Sequence, residues 1–199
     1  MNRGIFISFE GIDGCGKSTQ IRRLQMRIEA EGIPVIAMRD PGGTAVSEKI
    51  RHILLSTDSV IDPVTELLLY EAARAQILAE KIRPALTEGC VVLIDRFFDS
   101  TTAYQGYGRN IDLSLIHTAN YLATQGLSPD RTYLIDISWD ESQKRRIASH
   151  KDRMENEGRD FFERVRSGYT AISEKEANRI LRIQGDQNME HLSELIYQD

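Results

Sequence analysis

Apolar positions along this chain change period repeatedly, and the changes mark an alternation of strands and helices. Residues 5–10 are a β-branched and aromatic run of strand length, after which Ile21, Leu24 and Ile28 recur at helical spacing. Gly32-Ile33-Pro34 stops that helix, and residues 35–39 read as a second strand. Thr44 is placed to cap a helix reaching about Leu55. Asp62-Pro63 opens a long helix carrying Leu67, Leu68, Tyr70, Arg74, Leu78 and Ile82 and ending near Gly89. Residues 91–94 are continuously apolar, as in a strand buried on both faces, and Asp95-Arg96 follows at their carboxyl end. Residues 97–110 read as a polar, glycine-marked loop. Residues 112–125 read as a helix with Leu115, Ala119 and Leu122 inward, and 132–137 as a fourth strand. Ser138 and Glu141 form a capping box for a further helix. Residues 144–166 are dense in both signs of charge, 180–183 read as the last strand and 189–197 as the last helix.

Strands alternating with helices predict one α/β domain over residues 1–199, with a parallel sheet covered on both faces. Ligands bind such sheets beyond the carboxyl ends of the strands, at the switch point. Composition is ordinary for a soluble globular protein. The net charge of −5, without a basic block, argues against a nucleic-acid partner but leaves room for a small anion held by a few focused cations. No apolar run reaches membrane-spanning length and no signal peptide is evident, so no membrane role and a reducing cytoplasm are expected. Cys15 and Cys90 match no metal-site spacing, and neither do His52, His117, His150 and His191.

Gly11-Ile12-Asp13-Gly14-Cys15-Gly16-Lys17-Ser18-Thr19 fits the G-x-x-x-x-G-K-[ST] phosphate loop and has the strand before it and the helix after it that the motif requires. Its glycines let main-chain N–H groups approach phosphate oxygens, and the helix N-terminus favours negative charge. Lys17 is expected at the β- and γ-phosphates and the Ser18 hydroxyl on Mg²⁺. Asp95 is expected to hold the same ion or to orient Arg96. The Asn-Lys-x-Asp guanine motif is absent, and one acid with one arginine follows the third strand, so a small-molecule phosphotransferase fits better than a GTP switch or a motor. Arg96 is the candidate grip on an acceptor phosphate, with Arg39 as a second clamp.

These segments also carry a resemblance. Phe9-Glu10-Gly11-Ile12-Asp13-Gly14, Arg39-Asp40-Pro41-Gly42-Gly43-Thr44, Tyr70-x-Ala72-Ala73-Arg74 and Asp95-Arg96-Phe97-x-x-Ser100-Thr101-x-Ala103-Tyr104-Gln105-Gly106 resemble, in order, motifs of the thymidylate kinase (dTMP kinase) family. Lys151-Asp152-Arg153-Met154-Glu155 resembles its lid motif. The resemblance implies a three-layer α/β/α P-loop fold with a five-stranded parallel sheet, a helical lid at about 144–160, and a homodimer. It implies ATP as co-substrate, Mg²⁺ as cofactor, and dTMP as the acceptor in dTTP synthesis. Asp13 then falls at the sugar 3′-hydroxyl and Tyr104 against C2′. Tyr70 stacks on thymine, Arg74 donates to its carbonyl, and Ser100, Thr101 and Gln105 meet the base edge, with Pro41 and Arg39 nearby. Asp40 stands where relatives usually have glutamate, and Ala73 and Ile77 where many have aspartate and histidine. Gly14 stands where some carry a P-loop arginine, which implies the subtype whose lid supplies it. Arg153 is the candidate, with Arg145, Arg146 and Arg159 as rivals. The competing readings are a P-loop kinase for another nucleotide or nucleoside, and a nucleotide-binding regulatory module without turnover.

Overall fold

The computed structural model describes residues 3–145 and 152–199. Strand β1 (Phe6–Glu10) leads through the glycine loop into α1 (Lys17–Ala30), and β2 (Val35–Arg39) leads into α2 (Ala45–Leu55). Helix α3 (Pro63–Ile77) continues through a π-helical turn (Leu78–Ile82) into α4 (Arg83–Thr87), then β3 (Val91–Asp95). Helix α5 (Phe98–Thr101) runs on as a π-helical stretch (Thr102–Gly108), followed by α6 (Leu113–Thr124) and β4 (Arg131–Asp136). Helices α7 (Trp139–Arg145) and α8 (Arg159–Lys175), strand β5 (Ile180–Gln184) and helix α9 (Met189–Gln198) complete the chain. Helix starts follow side-chain chemistry. Thr44, Asp62, Asp112 and Asn188 each accept a hydrogen bond from a main-chain N–H of the first turn they cap.

The five strands are parallel in the order β2-β3-β1-β4-β5. Phe9 and Arg39 both pair with Asp95, so the entry to the P-loop, the acid after β3 and the end of β2 share one row. On one face Phe9, Leu93 and Ile135 pack with Ile21 and Leu24 of α1 and Leu192 and Ile196 of α9. On the other, Phe6, Val92 and Ile94 pack with Ile77, Ile82 and Leu86, and with Phe97. Ser8 sits in the sheet interior because its hydroxyl bonds the Thr132 hydroxyl at 2.7 Å.

Two expectations need correction. Most of residues 97–110 is helix rather than loop. Two of its glycines serve close packing: a Cβ at Gly106 would lie 2.8 Å from Leu113, and one at Gly108 2.7 Å from Phe161. In α6 the expected inward residues Leu115 and Leu122 are 61% and 77% exposed, and Ile116, Asn120 and Ala123 face inward instead. Asn120 is tolerated there because its amide donates to Thr102 and accepts from Arg74.

Candidate active site

The P-loop turns on three glycines with positive φ: Gly11 (132°), Gly14 (80°) and Gly16 (103°). A Cβ on Gly11 would meet the Ile135 carbonyl at 2.4 Å, so β4 sets how tightly the loop curls. Ile12 and Cys15 are buried beneath the loop, and burial pushes the Cys15 thiol up, so it stays protonated. Lys17 folds back on the loop, its ammonium donating to Gly11 O at 3.0 Å and Ile12 O at 3.4 Å. The ammonium also lies 3.9 Å from Asp95 and 4.0 Å from Asp13. The Ser142 hydroxyl of α7 donates to Asp13 O at 2.6 Å and steadies the outer edge of the loop.

Ser18 Oγ lies 2.9 Å from Asp95 Oδ2. Two neighbouring ligands of an octahedral Mg²⁺, each ~2.0–2.1 Å from the ion, are about that far apart. The donor set also fits: one hydroxyl and one carboxylate suit a hard ion that takes its remaining ligands from water and phosphate. Among the described residues no cluster of three or more His, Cys, Asp or Glu is placed to hold a metal by itself.

Two cavities open beyond the strand ends. One, about 490 Å³, is lined by Gly14, Gly16, Lys17, Ser18, Thr19, Asp95 and Arg39. The other, about 90 Å³, is lined by Pro41, Tyr70, Arg74, Ser100, Thr101, Tyr104 and Gln105, and by Asp152 and Met154 of the expected lid. Asp13, Asp40, Arg51 and Arg96 line both. The structure thus gathers every expected phosphate and acceptor residue around one double cavity, except Gly11, Ile12 and Cys15 under the loop and Arg153.

Arg96 holds the junction. Its backbone is left-handed (φ 71°), which aims the side chain across the P-loop. The guanidinium donates to Asp13 at 2.7 Å and to Ser100, Tyr169 and Tyr104 hydroxyls at 3.2 Å. Beneath it lies Glu10, fully buried, which accepts from Phe97 N, Ser100 Oγ and Tyr169 OH at 2.7, 2.6 and 3.1 Å. Burial, and next the Asp99 charge, raise the Glu10 carboxyl to about 7 against the pull of Ser100, Arg96 and Phe97. Arg39 is exposed and paired with Glu48 at 3.1 Å.

Arg74, expected as a donor to a base carbonyl, lines the acceptor cavity with its guanidinium already engaged. All five of its N–H groups are directed at protein: Asp40 (2.7 Å), Glu71 (2.5 Å), Asn120, Phe97 O and Thr101 (2.8 Å). The cause is burial, since a guanidinium 2% exposed must be matched by acids and carbonyls. The shorter Asp40 therefore has a clear contact, and its own carboxyl is pushed up by burial despite Arg74.

Outside the P-loop, Arg153 is the expected site residue that lines neither cavity. Its Nε donates to Leu54 O at 2.8 Å and its Nη1 pairs with buried Glu66 at 2.6 Å, while its main-chain N–H bonds Leu55 O. The side chain anchors the segment before α8 to the end of α2. Of its rivals, Arg145 pairs with Glu141 and donates to Gly185 O, and Arg159 pairs with Asp140. Arg146, with His150 and Lys151, lies outside the described residues.

Arg51 and Glu10 were missed. Arg51 of α2 is half-buried and donates to Pro41 O at 3.0 Å. In the sequence it looks like any surface arginine of a helix; only the packing of α2 on α3 turns it into the junction. Glu10 reads as a strand end, although an acid closing an apolar strand was a usable signal.

A glycine phosphate loop after the central strand of a parallel sheet, with a second cavity joined to it through two arginines, defines a P-loop phosphotransferase of the nucleoside monophosphate kinase class. The family model for thymidylate kinase matches residues 9–196, and the chain belongs to that family. It is 48% identical over 187 residues to the thymidylate kinase of Caldanaerobacter subterraneus subsp. tengcongensis, covering 94% of this chain and 90% of that one. It is 46% identical over 202 residues to that of Chlorobium luteolum, covering 96% and 94%. The crystal structure of thymidylate kinase from Ehrlichia chaffeensis superposes with a TM-score of 0.80 at 34% identity, covering 99% of both chains.

Proposed function

We propose that this chain transfers the γ-phosphoryl group of ATP to dTMP, giving ADP and dTDP on the route to dTTP. The observation that carries this reading is the pair of cavities sharing Arg51 and Arg96. Two polyanions enter from opposite sides and meet at cations common to both. The acceptor oxygen belongs to a phosphate whose second pKa is about 6, so it arrives ionised and no general base is needed. What the protein supplies is alignment and neutralisation. Main-chain N–H groups of residues 13–19 and Lys17 hold the donor phosphates, and Arg96 and Arg51, with Arg39 at the rim, hold the acceptor phosphate. Mg²⁺ at Ser18 and Asp95 would neutralise donor phosphate charge. Tyr70, half-buried in the acceptor wall, offers a face to the base, and Tyr104 closes the sugar end while Asp13 faces the junction.

The smaller cavity lies below the ~300 Å³ usual for a ligand cleft, and Asp152 and Met154 form one wall, so acceptor entry displaces that wall. A homodimer belongs to the same reading. Val64 and Leu68 of α3 and Leu115 and Leu122 of α6 are exposed on two helices that pack side by side. Such an apolar stripe suits a second copy. Cytoplasmic residence fits these substrates and two free cysteines; among the described residues no helix is long and apolar enough to cross a membrane.

An acceptor panel with ATP, read by coupled ADP release, tests the reading. The expected order is dTMP, then dUMP lower by the ~1–3 kcal/mol that one methyl contact contributes. CMP or AMP outpacing dTMP, or no turnover with any acceptor, overturns it.

A further inference from the structure

Behind the acceptor cavity lies a buried carboxylate that the reaction itself does not use. Glu66 of α3 is fully buried and both of its oxygens are engaged. Oε1 accepts from Gln105 Nε2 at 2.8 Å and Arg109 Nε at 3.1 Å. Oε2 accepts from Arg109 Nη2 at 3.1 Å and forms an ion pair with Arg153 Nη1 at 2.6 Å. Glu157 pairs with the remaining arm of Arg109 at 2.5 Å, so two acids balance two arginines. Three hydrogen-bond donors and a second arginine charge hold the carboxylate in one orientation.

We propose that Glu66 is a positioning residue for base selection, locking the Gln105 side-chain amide so that its oxygen, not its nitrogen, faces the acceptor base. The chemistry has one direction. An ionised carboxylate only accepts hydrogen bonds, so the amide must turn Nε2 toward Glu66. Burial alone would raise the Glu66 carboxyl, but hydrogen bonds from Arg109 and Gln105 and the charges of Arg109 and Arg153 hold it below its ordinary range, and it stays ionised. Gln105 is 2% exposed and lines the acceptor cavity, and among the described residues its Oε1 takes no hydrogen bond. That oxygen is therefore the atom offered to a ligand. Thymine and uracil carry a hydrogen on N3 and can donate to it. Cytosine has a lone pair at N3 and would set it against the oxygen. Flipping the amide to suit cytosine would turn Oε1 onto Glu66, which the carboxylate forbids. Sites that require a substrate hydrogen bond reject partners lacking it by up to ~10⁴–10⁵-fold.

This inference rests on dTMP being the acceptor, and the experiment separates the two. The ratio of kcat/KM for dTMP to that for dCMP is measured first in the wild-type protein; no preference there defeats the proposed function. With a preference established, Glu66→Gln, whose amide can donate as well as accept, is expected to cut the ratio by ~10-fold or more. Glu66→Asp, still an acceptor only, is expected to keep most of it despite lower stability. Gln105→Leu should lose the preference, and adding Glu66→Gln to it should change the ratio no further. An undiminished ratio in Glu66→Gln, or equal losses in Glu66→Gln and Glu66→Asp, overturns the proposal. Should Glu66→Gln not fold, NMR of the wild-type protein with dTMP decides. The Gln105 Nε2 hydrogens are expected to exchange slowly, and exchange at the rate of a free amide overturns it.

Discussion

Around the P-loop the protein's contacts come from main chain; around the acceptor cavity they come from buried side chains of opposite charge. Lys17 rests on two carbonyls, and the loop's shape follows from three glycines within six residues. Arg74, by contrast, is fixed by Asp40, Glu71, Asn120 and Thr101, and Glu66 by Gln105, Arg109 and Arg153. These partners come from stretches far apart in sequence. A side chain on the donor side can therefore be removed without leaving a buried charge alone. On the acceptor side, removing a side chain leaves a buried charge unpaired and costs stability.

The largest effect is expected at Lys17. Lys17→Ala should lower kcat by ~10²–10³-fold, as loss of one preorganised charge on a reacting oxyanion does, with little change in Tm. A Tm that falls along with the activity would erase the distinction. Arg153→Ala should show the opposite pattern: stability falling by ~3 kcal/mol as Glu66 loses a partner, with kcat kept within about tenfold. Chemical denaturation and steady-state rates measure both. Alanine variants of Arg145, Arg146 and Arg159, run alongside, will show a steep kcat loss wherever the arginine serving the transferring group resides; such a loss at Arg153 with stability intact would reverse its assignment as an anchor.

Glu10 sharpens the comparison through pH. Its carboxyl is raised from 4.5 to about 7 in the folded chain. The folded state therefore binds the proton more tightly. The stabilisation is complete below pH 4.5 and is lost as pH rises to about 7. The range is on the order of 3 kcal/mol by the standard conversion. Glu10→Gln should flatten the stability profile across that window; an unchanged slope would assign it to other buried acids, Asp40 first among them. The smallest effect on chemistry is expected from Leu122→Asp, which should abolish self-association in sedimentation while turnover per chain stays within a few-fold. A wild-type chain that sediments as a monomer removes the dimer from the picture.

The same division explains what the sequence disclosed. The P-loop, the strands and the caps at Thr44 and Asp62 are local signals, written in neighbouring residues, and the structure has them where expected. The π-helical stretch at Thr102–Gly108 read as loop because glycine ordinarily marks flexibility, whereas here two glycines admit Leu113 and Phe161. Leu115 and Leu122 read as core because periodicity finds an apolar face without saying what covers it. Tyr104, Ser100, Gln105 and Arg96 came to one cavity as the family motif implied. Of their distant hydrogen-bond partners, Glu10 left a usable trace as an acid closing an apolar strand, and Glu66 left none.

The position of β1 in the sheet also has a consequence for synthesis on the ribosome. This strand is made before both of its neighbours, β3 and β4, whose pairing partners begin at Val92 and Arg131. At ~5–20 residues per second, its second neighbour reaches the tunnel exit on the order of ten seconds after the strand itself. Until β3 is made Phe6, Ile7 and Phe9 have no neighbouring strand to pair with, and until β4 follows one edge of β1 stays open and Gly11 lacks the Ile135 carbonyl against which the P-loop curls. The nucleotide loop is made before β4 yet takes its shape only after it, and the emerging chain offers chaperones the open edge of an apolar strand until β4 arrives.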